Sequence, residues 1–118
     1  MQQEYRLKRR NDFRRVFRAG ESFANRQFVV YVYLRREPGP TRIGISVSKK
    51  VGNAVVRNRI KRLVKEVARE WVPQLRKQVD IVVIARKPVA VMDYVQVKSS
   101  LRHVFTRAGV FESGPPSR

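Results

Sequence analysis

Lys49-Lys50-Val51-Gly52-Asn53-Ala54-Val55-Val56-Arg57-Asn58-Arg59-Ile60-Lys61-Arg62 is the stretch in which this chain leaves a strand, turns and enters its longest helix. Lys49, Lys50, Arg57, Arg59, Lys61 and Arg62 are cations, and no acidic residue occurs between Glu37 and Glu66. A solvated helix face normally alternates charge signs one turn apart. Cations this dense repel one another unless an anion lies against them, and the natural polyanion is a nucleic-acid backbone.

Downstream, the helix should run from residue 54 to about 69 or a little beyond. Val56, Ile60, Leu63, Val64, Val67, Trp71 and Leu75 form one apolar stripe, with Asn58, Lys61, Arg62, Lys65 and Arg69 on the opposite side. Pro73 either ends this helix or sits in the following turn. Residues 79–85 are a short apolar run rich in Val and Ile, as expected of a strand buried on both faces. A last helix over residues 93–108 puts Tyr94, Val97, Leu101, Val104, Phe105 and Ala108 on one side, and Gly109 can end it.

Upstream, residues 42–48 alternate: Ile43, Ile45 and Val47 face one way, Gly44, Ser46 and Ser48 the other. The small polar face leaves room above the sheet. Residues 28–34 alternate as well, with Phe28, Val30, Val32 and Leu34 opposed to Val29, Tyr31 and Tyr33; Arg36-Glu37-Pro38-Gly39-Pro40 is a turn. Asn11 is expected to cap a short first helix, with Asp12 in its first turn and Gly20 past its end. Phe13, Val16 and Phe17 share one face of that helix, and arginines flank it. Residues 1–10 read as a basic, mobile arm and residues 111–118 as a disordered tail, leaving one domain over 1–110. The fold expected is an α/β (α+β) two-layer sandwich. Its small mixed sheet carries three helices in the order α-β-β-β-α-β-α, with a parallel strand pair joined by the long helix.

The 118 residues carry 27 Lys+Arg against 9 Asp+Glu, a formal charge of +18, and 42% are hydrophobic, enough for a modest core. Nucleic acid is the expected partner, ahead of an anionic membrane. No run approaches the roughly 18 apolar residues of a membrane span, and the first ten residues have no signal-peptide centre. Cysteine is absent, so thiolate metal sites and disulfides are excluded, and a cytoplasmic location is expected.

Catalytic machinery is thin. His103, the one histidine, has no obvious acid partner; Glu66 and Glu70 are explained by salt bridges with Arg62 or Arg69; there is no phosphate loop or nucleophile elbow. No catalytic and no metal-ligating residue is expected. The rings of Phe13, Phe17 and Tyr31 have two readings: core, or a stacking platform beside a basic groove, where unpaired bases stack for about 1–3 kcal/mol each.

The run from Val47 to Lys65, centred on Arg57-Asn58-Arg59-Ile60-Lys61-Arg62, closely resembles the signature of the bacterial ribonuclease P protein component. Asp12-Phe13, Val16-Phe17 and Gly20, then Asn25-Arg26-Gln27-Phe28-Val29-Val30-Tyr31, resemble that family's first helix and first strand, and residues 80–88 its buried strand. The resemblance covers about residues 4–108. It implies a left-handed βαβ crossover, against the general right-handed rule. It also implies an endoribonuclease in which an RNA subunit carries the chemistry, removing the 5′ leader of precursor tRNA with the help of Mg2+ held mainly by RNA. Phe13, Phe17, Tyr31, Ser46, Ser48 and Lys49 would then line a cleft for the single-stranded leader. Lys50, Arg57, Asn58, Arg59, Lys61, Arg62 and Lys65 would meet the ribonuclease P RNA. No membrane or small-molecule partner is implied. The rival reading is a basic ribosomal protein or assembly factor bound to rRNA.

Overall fold

The computed structural model describes residues 5–116. Helix α1 spans Arg10–Ala19, strands β1, β2 and β3 span Glu21–Ala24, Phe28–Leu34 and Arg42–Val47, helix α2 spans Ala54–Trp71, strand β4 Val79–Ala85 and helix α3 Tyr94–Ala108. The order matches the expected α-β-β-β-α-β-α. The sheet runs β1-β2-β4-β3: β4 is parallel to β3 and antiparallel to β2, which is antiparallel to β1. The parallel pair is therefore the one joined by the long helix.

Local chemistry sets the boundaries of α2. Asn53 Oδ1 accepts the Val56 N–H at 3.0 Å, satisfying a donor that the helix leaves free. A Cβ on Gly52 would stand 2.7 Å from the Val56 side chain, so only glycine admits this entry. After Trp71 the chain tightens into a 3-10 turn, Val72–Gln74, which contains Pro73. The stripe Ile60, Val64, Val67, Ala68 and Trp71 is buried. Asp93 and Gln96 form a reciprocal capping box at the start of α3, and Gly109 ends it at φ 68°.

The main core lies between one sheet face and the pair α2–α3. Phe28, Val30, Ile43, Val47, Ile81 and Val83 meet Ile60, Val64, Trp71, Leu101 and Phe105 there. The short α1 crosses part of the other face, where Val16 and Leu7 pack on Val82. β4 is thus covered on both sides, as its composition required.

Several expectations are corrected. Asn11 does not cap α1; the helix begins at Arg10, and Asp12 and Phe13 donate their N–H groups to the Arg9 carbonyl. The N-terminal arm is anchored in its described part, because Leu7 is buried and donates its N–H to Ile43 O at 3.0 Å; residues 1–4 lie outside the described residues. Nor is the segment from 111 loose. The turn at Gly109 sends Val110 and Phe111 back into the core, where Phe111 meets Trp71 edge-on at 5.3 Å and Glu112 donates its N–H to Gln74 O. Residues 117–118 lie outside the described residues. The third strand before α2, which alternation did not locate, is β1. It follows α1 directly and is turned into β2 by Asn25, whose Oδ1 accepts from the Gln27 and Phe28 N–H groups.

Candidate nucleic-acid interface

The sheet face that α1 only partly covers is built in rows by strand register. Tyr31, Val82 and Gly44 form one row, and Val29, Ile84 and Ser46 the next. Phe13 fills the space above Gly44, so the room left by that glycine is occupied by a ring. The Phe17 ring lies 6.5 Å from Phe13 and meets Tyr31 edge-on at 5.0 Å. Phe13 and Tyr31 are half-buried, while Phe17 is 41% exposed. The rings are therefore neither sealed core nor free: each is fixed by the sheet and keeps an open side. Ser46 is half-buried one row on, while Ser48 and Lys49, both exposed, follow the end of β3. The geometry brings Phe13, Phe17 and Tyr31 into one cluster, with Ser46 in the adjoining row of the same face.

A second concave surface runs along α2. Asn58, Lys61, Arg62 and Lys65 line an open groove of about 400 Å³ with Glu66 and Arg69. Glu66 and Arg69 pair at 3.0 Å, so the groove carries one acid already engaged by a cation. Lys50 is exposed in the turn before the helix. Two expected members behave differently. Arg59 donates to the backbone carbonyls of Met92 at 2.6 Å and Ala90 at 3.4 Å, so its guanidinium ties α2 to the loop before α3. Arg57 is half-buried and its Nε has no partner. A one-dimensional stripe could not separate these two from Lys61 and Arg62.

Sequence reasoning also missed a charged cluster at the foot of the rings. Asp80, alone among apolar residues in β4, is fully buried and accepts from Arg35 and Arg42. The hydrogen bond to Asp80 raises the Arg42 pKa above its ordinary value, against the opposing effect of burial. The signal was legible: a lone Asp in a Val/Ile strand needs a buried cationic partner. Across α2 and α3, Glu70 accepts from the Tyr94 hydroxyl at 2.7 Å and from Lys98 at 2.8 Å. The hydrogen bonds from Lys98 and Tyr94 lower the Glu70 pKa, and the bond to Glu70 pushes Tyr94 up to about 12.

His103 is exposed, with Nδ1 3.3 Å from Asn25 Nδ2, in a shallow cleft of about 630 Å³ shared with Gln27 and Ser100. Among the described residues there is no group of three His, Cys, Asp or Glu side chains that could hold a metal ion. None of the described helices is long and apolar enough to cross a membrane.

A +18 surface with a groove of cations on one helix and anchored rings beside another defines a small α+β protein made to lie against a polyanion. The family model described as Ribonuclease P matches residues 1–109. The ribonuclease P protein component of Listeria innocua is 50% identical over 98% of this chain and 97% of its own length. That of Bacillus cereus strain B4264 is 52% identical over 93% and 96%. The ribonuclease P protein of Staphylococcus aureus superposes with a TM-score of 0.86 at 47% identity, covering 92% of this chain and 98% of that one. This chain belongs to the ribonuclease P protein family.

Proposed function

We propose that this chain is the RNA-binding subunit of ribonuclease P in tRNA processing, and that it holds the single-stranded 5′ leader of precursor tRNA on the ring cluster while α2 meets the RNA subunit. The observation that carries the leader assignment is the arrangement of Phe13, Phe17 and Tyr31, held on one sheet face with Phe17 left open. Rings and charge grip a strand of any sequence, because every base has a π-face and every nucleotide a phosphate. The groove of Asn58, Lys61, Arg62 and Lys65 suits a phosphate backbone for the second role.

The bond cleavage itself is assigned to the RNA subunit. The carboxylates near the rings do not suit a magnesium ion held by this chain, since Asp12 and Asp80 are bound by arginines. We assign Mg2+ to the RNA subunit and the substrate. The chain's own contribution is binding, orientation and neutralisation of repulsion between two RNAs. A cytoplasmic location fits these partners. The rival assignment to rRNA has no support in the family match.

The test is reconstitution with and without the catalytic RNA, over a series of leader lengths. Affinity should favour leader-bearing over mature tRNA and rise with leader length until the cleft is filled. Cleavage by the protein alone, or cosedimentation with ribosomal subunits and no leader preference, would reject the assignment. If about six phosphates of a single strand are neutralised, affinity should fall roughly 300-fold between 50 and 200 mM salt.

A further inference from the structure

Three of the nine acids in this chain, Asp12, Glu37 and Asp80, meet three arginines, Arg15, Arg35 and Arg42, at one end of the ring cluster. Asp80 is the centre. It lies in the central strand, in register with Tyr33 on β2 and Arg42 on β3. Its Oδ1 accepts from Arg35 Nη1 at 2.6 Å and Arg42 Nε at 2.9 Å, and its Oδ2 from Arg42 Nη2 at 2.8 Å. Arg15 of α1 brings Nη2 to 3.6 Å from that same Oδ2 and to 3.6 Å from Asp12, with its guanidinium 5.2 Å above the Tyr33 ring. Arg42 Nη1 reaches back to Asp12 at 3.5 Å.

Helix and sheet are thus joined by crossed pairs: Asp12 of α1 with Arg42 of β3, and Arg15 of α1 with Asp80 of β4. Three acids against three arginines make the cluster neutral, in a chain that is otherwise strongly cationic. It has no net pull on a phosphate. Buried ion pairs contribute little net stability after desolvation, but their geometry is specific. Phe13 follows Asp12 directly and Phe17 stands one turn further, so whatever fixes the lie of this helix fixes the rings.

We propose that Asp80 is a positioning residue for the leader platform: acting through Arg15 and Arg42, it sets the tilt of α1 over the sheet and so the placement of Phe17 against Tyr31. This rests on the reading of the ring cluster as the leader site. A stacking surface loses its fit when its support shifts by about an ångström.

The experiment measures binding of leader-bearing and mature tRNA by the protein reconstituted with catalytic RNA. Arg15→Gln removes one arm of the crossed pairs and leaves Asp80 with Arg35 and Arg42. The preference for the leader should fall by about 5-fold or more, the size of one lost stacking contact, with mature tRNA unchanged and Trp71 fluorescence confirming the fold. Added to Phe17→Ala, Arg15→Gln should cost little more, because both remove the same platform. Should Arg15→Gln fail to fold, Asp12→Asn cuts the other arm and carries the same expectation. Full leader preference in these variants, an equal loss for mature tRNA, or a full additional loss on top of Phe17→Ala would overturn the assignment of Asp80. Intact leader preference in Phe17→Ala would instead overturn the leader site itself.

Discussion

Phe13 lies so close over Gly44 that a Cβ on that glycine would stand 2.5 Å from Cζ of the ring. Gly44 is in register with Val82 of β4, so the ladder holds the strand in place under the ring. The contact joins a turn-free glycine in a strand to the first ring of the proposed platform. Gly44→Ala should therefore push Phe13 outward, costing about 1–3 kcal/mol by overpacking and weakening leader binding. Denaturant unfolding and leader-dependent affinity together check this; an unchanged midpoint and preference would show that the ring moves aside freely.

Arg59 and Arg62, which directly follow Asn58 and Lys61, should separate under mutation. Arg62 lines the open groove, so Arg62→Ala is expected to lower affinity for the RNA subunit and flatten the log–log salt dependence by about 0.7–0.9, one phosphate's share. Arg59 is held by two backbone carbonyls. Its replacement by Ala should instead cost about 1–3 kcal/mol of stability and leave the salt slope nearly unaltered. Salt titrations and thermal melts on both single variants distinguish them. A steeper loss of slope in Arg59→Ala than in Arg62→Ala would reverse these assignments.

The Tyr94–Glu70–Lys98 bridge between α2 and α3 gives a pH dependence of known sign. Tyr94 is raised from 10.0 to about 12 because its hydroxyl donates to Glu70. Its contribution to stability is complete below pH 10 and is lost as pH rises through about 12. Glu70 is lowered from 4.5, so its contribution is present above that pH and fades as pH falls further. The difference in phenolate absorbance between the parent and Tyr94→Phe should show the late ionisation, and Glu70→Gln should move it back toward 10. No movement in Glu70→Gln would mean the bridge is not formed in solution.

Phe111 should behave as a core residue although it stands near the C-terminus. It packs edge-on against Trp71 at 5.3 Å and lies 6.0 Å from Phe105. Phe111→Ala is expected to cost about 3–5 kcal/mol, read by chemical denaturation and by a change in Trp71 emission. A loss near zero would place the segment outside the cooperative unit.

The helices and strands β2 and β3 were legible because each carries a clean period: Ile60, Val64 and Val67 on one stripe, Phe28 and Val30 against Val29 and Tyr31. β4 was legible because its Val/Ile run is short and almost unbroken. β1 escaped because Glu21–Ala24 is short and mostly exposed, with no buried alternation to read. The anchored ends escaped for a related reason. One Leu7 among cations, or Val110-Phe111 before a Ser-Gly-Pro-Pro run, looks like solvent-exposed chain until tertiary contacts give each side chain a socket. For the candidate site, the residue types pointed to rings and cations, but only the folded geometry separates Arg59 from Arg62. The same holds for the charged cluster: the acidity of Asp80 was visible, while its three partners come from α1, β3 and the end of β2, far apart along the chain.

Strand β4 sits between β2 and β3, which pair with it and not with each other. A ribosome making this chain releases the β1–β2 pair, an unpartnered β3 and most of the cationic residues well before the strand that joins them. Until residues 79–85 emerge, the nascent polypeptide is a sticky polycation beside the most abundant RNA in the cell, with the β1–β2 pair but no complete sheet on which to arrange its rings. Closure of the full sheet must then wait for β4. Stalled chains ending before residue 79 should lack protected β3 amides, and their protection would show that β3 orders itself without β4.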